Sequence, residues 1–197
     1  MSEIPTSLAR KRAVDRIILV MRSQYATELA SVNDADNGGE LHLPAPEESS
    51  YYRAPPQGPE TLVPTNSHVP VYVYPSSDTS VNTRSSGGVQ TVGETITWNM
   101  EIVIACRAST SKEHTVDGHT VTTGERLWIR SELYLGAMIE TVQKYACAGD
   151  AIHFVERIGD QPLLMFDQQR RATGIATARY QITQNTRAPK RRSLPEE

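Results

Sequence analysis

The sequence predicts an α+β fold: a mainly antiparallel sheet with two helices packed on one face, a long Pro-rich loop and a projecting hairpin. Three observations lead there. Apolar residues recur at three- and four-residue spacing in two long segments, one near the start of the chain and one after residue 125. A strict two-residue alternation runs from Thr95 to Cys106, the mark of a strand with one buried face. The connections around the second helical segment are short, so the economical arrangement sets both helices on the same side of one sheet.

The first helix is expected from Thr6 to about Val32, with Val14, Ile17, Ile18, Met21, Tyr25 and Leu29 on one stripe. Pro5 with Thr6 or Ser7 supplies a start signal, and Asn33-Asp34 followed by Gly38-Gly39 a stop. Residues 33–68 then carry Pro44, Pro46, Pro55, Pro56, Pro59 and Pro64 and read as an extended loop. Its apolar residues Leu41, Leu43, Tyr51, Tyr52, Leu62 and Val63 are anchors either for a neighbouring chain or for the loop's own domain.

Val69–Tyr74 reads as a strand, residues 75–93 as a Ser/Gly-rich loop, and Thr95–Cys106 as a long strand with Ile96, Trp98, Met100, Ile102, Ile104 and Cys106 inward. Residues 111–123 carry Asp117-Gly118, a tight-turn signature, in a polar hairpin with little core of its own. A second amphipathic helix runs from Glu125 to about Cys147 and stops near Gly149, with Gly136 as a candidate point of close packing. Strands at Ala151–Ile158 and Gly174–Thr183 follow. The loop between them carries the apolar run Leu163-Leu164-Met165-Phe166, either a tucked core segment or a contact patch. Residues 1–186 are thus one domain, and 187–197 a flexible basic tail.

At 197 residues the chain has room for one ordinary core. Lys+Arg 20 against Asp+Glu 23 gives a net charge of −3, so no global basic field is available to hold nucleic acid. Contact with phosphate, or with an acidic protein surface, must be local: Arg10, Lys11, Arg12 and Arg16 on the first helix, and Arg187, Lys190, Arg191 and Arg192 on the tail, are the candidates. Two cysteines, Cys106 and Cys147, suit a reducing compartment such as the cytoplasm. The apolar run Ile17–Met21 is too short to span a bilayer, so no membrane partner is expected.

The search for chemistry returns little. Gly88 and Gly93 have the spacing of a phosphate-binding loop, but Glu94 stands where its lysine belongs. His114 and His119 flank a hairpin turn without a ligand set to complete a metal site. Cys147 near His153 lacks an electropositive environment apart from Lys144, and Asp160 and Asp167 more simply solvate a strand connection. No catalytic residue, metal or cofactor is assigned.

In its order and patterning the chain resembles the tail terminator and tail-completion proteins of tailed bacteriophages, the neck components that cap a tail tube and join it to the head. The resemblance is carried by SLARKRAVDRIILVMRSQYATEL, TITWNMEIVIAC, LWIRSELYLGAMIETVQKYA and GIATARYQIT, and spans most of residues 6–184. It implies a structural virion protein made in the host cytoplasm, a homo-oligomeric ring, commonly hexameric, with tail tube and head–tail connector proteins as partners and no catalytic residues. It also leaves open a non-specific contact with DNA in the ring's lumen. On that basis Thr95, Thr97, Asn99, Arg179, Gln181 and Thr183 are candidates for the subunit or lumen surface, and Tyr51, Tyr52, Leu163, Leu164 and Phe166 for partner contacts. The Pro-rich loop and the insertion at 111–123 depart from the family pattern and keep another head–tail connector or neck adaptor as the alternative. A protein-interaction module unrelated to virions, and a small enzyme, are the rival classes; the first predicts a monomer or dimer, the second a pocket of titratable groups.

Overall fold

The computed structural model describes residues 4–35, 43–56, 69–76, 80–84, 93–107, 114–116, 119–149, 151–166 and 172–187. In chain order the elements are β1 (Ile4–Pro5), α1 (Thr6–Ala35), a 3₁₀ turn (Glu48–Ser50), β2 (Tyr51–Tyr52), β3 (Val71–Pro75), β4 (Ser80–Arg84) and β5 (Gly93–Arg107). Then follow β6 (His114–Val116), β7 (His119–Val121), α2 (Thr123–Tyr145), β8 (Phe154–Phe166) and β9 (Ala172–Arg187). The fold is mixed α+β, with a mostly antiparallel sheet and two helices packed against it.

The sheet is organised around β5 and β9, which pair antiparallel over their whole lengths, Gly93 opposite Arg187 and Arg107 opposite Thr173. The other flank of β5 is shared: β3 takes its second half and β4 its first. The other flank of β9 is shared by β8 and by a two-residue parallel pairing with β1. β2 adds two parallel residues outside β3, and β6 with β7 forms a separate two-stranded ladder.

The alternation in β5 sorts the faces as predicted. Ile96, Trp98, Met100, Ile102, Ile104 and Cys106 join Ala176, Ala178, Tyr180 and Ile182 of β9, and the inner stripes of α1 and α2, in one buried cluster. Removing each large side chain from water contributes about 1.5–3 kcal/mol, which is what holds helices to sheet. α2 starts in a capping box: Glu125 N–H donates to Thr122 Oγ1 at 3.3 Å, and Thr122 N–H to Glu125 Oε2 at 2.7 Å. These bonds hold the Glu125 carboxyl below its ordinary pKa. The chain turns away after α2 at Gly149, whose φ of 135° suits a residue without Cβ.

Three expectations are corrected, and for the Pro-rich loop one of two open alternatives is met. The segment after Ile158 is not a loop: β8 continues to Phe166, because the long β9 offers it a ladder, and Gly159 and Pro162, residue types of turn propensity, sit at a bulge and within an edge strand. The Ser/Gly-rich stretch contains β4, drawn into order by the part of β5 that β3 leaves unpaired. The Pro-rich loop, over 43–56, is tied to its own helices: Asn33 exchanges two hydrogen bonds with the Leu43 backbone, and Tyr134 Oη donates to Pro44 O at 2.8 Å. Gly136 has open space around the position of a Cβ, so it is not the point of close approach. That point is Gly174, where a Cβ would lie 2.5 Å from Ser131 Oγ, 2.9 Å from Cys106 Sγ and 3.1 Å from Leu127 O.

Candidate functional surface

The second face of the sheet carries the odd-numbered residues of β5 and β9, and none of the described helix residues belongs to its apolar cluster. Register decides what stands beside what. Thr95 pairs with Asn185, Thr97 with Thr183, Asn99 with Gln181, Glu101 with Arg179, Val103 with Thr177 and Ala105 with Ile175. All six residues singled out for a subunit or lumen surface therefore lie together on this face, in two adjacent strands, each at least partly exposed.

The face is divided in two. At one end Thr95 Oγ1 donates to Asn185 Oδ1 at 3.2 Å, and the neighbouring Thr97, Thr183, Asn99 and Gln181 continue an uncharged hydrogen-bonding surface. At the other end Tyr72, Val103, Ala105 and Ile175 form a small buried cluster, with Tyr52 stacked on Tyr72 at 5.0 Å between ring centroids. Between the two halves a polar row crosses three strands in register. Arg179 Nε donates to Glu101 Oε1 at 2.8 Å, and Tyr74 Oη donates to Glu101 Oε2 at 2.7 Å. Burial first, and the bond to Glu101 second, push the Tyr74 phenol well above its ordinary pKa. It stays a neutral donor.

β8 extends the same face outward. Phe154 stands opposite Thr183 and Leu163 opposite Ile175, and both side chains are exposed. Ile158, at the bulge between Arg157 and Gly159, is exposed too. Leu164 points the other way and packs against the helix-side core. Sequence patterning places Phe154 and Ile158 on a strand and singles out Leu163 as a contact, but puts Leu163 on a loop, so that the three belong to one strand is legible only in the structure.

The remaining candidates separate. Tyr51, expected as a partner contact, is spent on the chain's own core: it donates to Met21 O at 3.3 Å, the Arg22 guanidinium lies 5.6 Å above its ring, and burial pushes its phenol up to about 12. Tyr52 is exposed beside it. Arg10, Lys11 and Arg12 are exposed on α1, on the helix side of the sheet, and Lys11 pairs with Asp15 at 2.8 Å. Arg16 is already engaged, donating through Nη2 to Tyr145 O at 2.9 Å at the end of α2. The Phe166 side chain, Asp167, the Asp117-Gly118 turn and the tail residues Lys190, Arg191 and Arg192 lie outside the described residues.

For chemistry the described residues hold little. His114 stands opposite Val121 and His119 opposite Val116, so the two histidines are not cross-strand partners. Among the described residues no group of three or more His, Cys, Asp or Glu could hold a metal ion. Both cysteines are free, Cys106 buried and Cys147 exposed, and burial pushes the Cys106 thiol up. Asp160 pairs with Arg157 at 3.4 Å. No helix among the described residues is long and apolar enough to cross a membrane. No protein-family model matches the chain, and no curated protein matches it.

Proposed function

We propose that this chain is a structural subunit of a tailed-phage virion, a tail terminator that closes into a ring, caps the tail tube and offers the head side a docking surface. One observation carries the reading: the β5–β9 face is a partly exposed array of Thr, Asn and Gln side chains in register, continued on β8 by the exposed Phe154 and Leu163. Uncharged hydrogen-bonding groups with aromatic and aliphatic side chains beside them make a surface suited to protein rather than to phosphate.

The charge distribution refines the expectation about DNA. Among the six β5 and β9 candidates only Arg179 is charged, and Glu101 neutralises it at 2.8 Å. This face is therefore assigned to subunit or neighbour contacts and not to a DNA-lined channel. A ring forms when one heterologous contact repeats until it meets itself, so function here is a matter of shape, with no reaction to catalyse.

Negative-stain images and sedimentation of the purified protein over a range of concentrations test the proposal. Closed rings, free or on tail tubes, are the expected result. A particle that stays monomeric at every concentration and does not join tail tubes would sink it in favour of a solitary interaction module.

A further inference from the structure

The two helices turn outer surfaces of opposite charge to solvent, and each carries exposed apolar side chains that the fold leaves uncovered. On α1 the residues Leu8, Lys11, Arg12, Leu19 and Arg22 fall on one stripe at 3.6 residues per turn, about 21 Å from end to end at 1.5 Å per residue. Leu8 is 42% exposed and Leu19 56%. Asp15 is the acidic residue of the stripe, and it lies between Lys11 and Arg53, at 2.8 and 2.9 Å. The stripe is basic even after that neutralisation.

On α2 the outward positions are Glu125, Trp128, Glu132 and Glu140, again one stripe, about 22 Å long. Trp128 is 45% exposed. Lys144 offsets Glu140 at 3.2 Å but is shared with Glu28. The basic partners that α2 carries further in, Arg126 and Arg130, are buried and do not reach this surface. The stripe is acidic around a half-exposed tryptophan.

The geometry points to a head-to-tail contact in which the α1 stripe of one copy of this chain docks on the α2 stripe of the next. This deepens the ring reading and rests on it, since both stripes belong to every subunit and a contact between unlike surfaces propagates around a ring. The stripes match in length, oppose in charge and bring apolar side chains to each other: Leu8 and Leu19 on one side, Trp128 on the other. A nucleic-acid backbone would use Lys11, Arg12 and Arg22 but would leave the two leucines and the tryptophan without purpose.

A pair of charge reversals tests it with the purified chain. Arg12→Glu alone cancels the net positive charge of the α1 stripe and sets a carboxylate against the acidic α2 stripe, and Glu132→Arg alone removes most of the negative charge of the α2 stripe and sets a guanidinium against the basic α1 stripe; each is expected to weaken self-association on the order of tenfold or more. Two recoveries are expected. The double variant R12E/E132R regains assembly, and mixing the two single variants gives particles that contain both chains in alternation. Both sites are exposed, and unchanged thermal melting checks that each variant is folded.

Assembly that persists in both single variants overturns this interface and leaves the ring reading standing. A wild-type chain that never associates overturns both. Loss of binding to a short DNA duplex in R12E, with assembly untouched, assigns the α1 stripe to phosphate and also overturns the contact.

Discussion

Trp98 Nε1 donates to Gln184 Oε1 at 2.8 Å across the β5–β9 pair, and the same amide donates through Nε2 to Ala9 O at 2.8 Å and to Ala151 O at 2.7 Å. One buried glutamine therefore ties together the sheet, the start of α1 and the segment that leads into β8. Both side chains are almost wholly inaccessible, Trp98 at 1% and Gln184 at 1%, so water cannot replace a lost partner.

Gln184→Leu should destabilise the fold by about 3 kcal/mol, because it orphans the buried indole N–H of Trp98, takes the side-chain donor from Ala151 O and removes the second donor to Ala9 O. Urea unfolding followed by tryptophan fluorescence measures it. A loss below about 0.5 kcal/mol would mean that the amide is not holding these elements together.

Gly174→Ala should cost about 1–3 kcal/mol, since the added methyl meets Ser131 Oγ, Cys106 Sγ and the Leu127 carbonyl where α2 lies on β9. Adding Ser131→Ala removes the nearest of the three atoms and should restore part of the loss. Thermal melting of the single and double variants reads both effects. Gly136→Ala, in open space within the same helix, should be neutral or stabilising by up to about 1 kcal/mol.

These two glycines show what pattern reading captures. The alternation of Ile96 to Cys106 and the stripes of both helices were legible because burial repeats with the period of the element. The roles of Gly136 and Gly174 were not, because close approach depends on which strand residue lies beneath the helix, a tertiary fact with no local trace. β8 failed for a related reason: Gly159 and Pro162 have turn propensity, and only the length of β9 overrides it. The six surface candidates came from alternation together with the family resemblance, and register puts them side by side. Tyr51 looked like a contact because an aromatic residue in a Pro-rich stretch gives no sign of which way it faces.

Arg16→Met should lower stability by about 1 kcal/mol by leaving the Tyr145 carbonyl at the end of α2 without its cationic donor. Amide hydrogen exchange should localise the effect, with faster exchange in the last turn of α2 and little change at its capped start.

Glu28 links α1 to the end of α2 through Lys144 Nζ at 2.8 Å and Tyr145 Oη at 3.1 Å. The bond from Lys144, chiefly, holds its carboxyl below the ordinary glutamate pKa. A depressed folded-state pKa contributes stability above the unfolded value, about 4.3, and that contribution disappears as pH falls through the folded value. Glu28→Gln should therefore be less stable than the parent at pH 7, with the gap closing on acidification below about pH 4. Paired denaturation curves across that range check it; a gap independent of pH would rule out the ionic origin.

β8 borders the sheet with a misregister between Arg157 and Gly159 and with Pro162, a residue that has no amide hydrogen to give. A foreign strand laid along this border would meet a kink and then a missing donor, so runaway backbone zippering into fibres is discouraged. Whatever settles here must recognise Phe154, Ile158 and Leu163 by their shapes, which makes attachment selective and leaves it open to tuning by single substitutions.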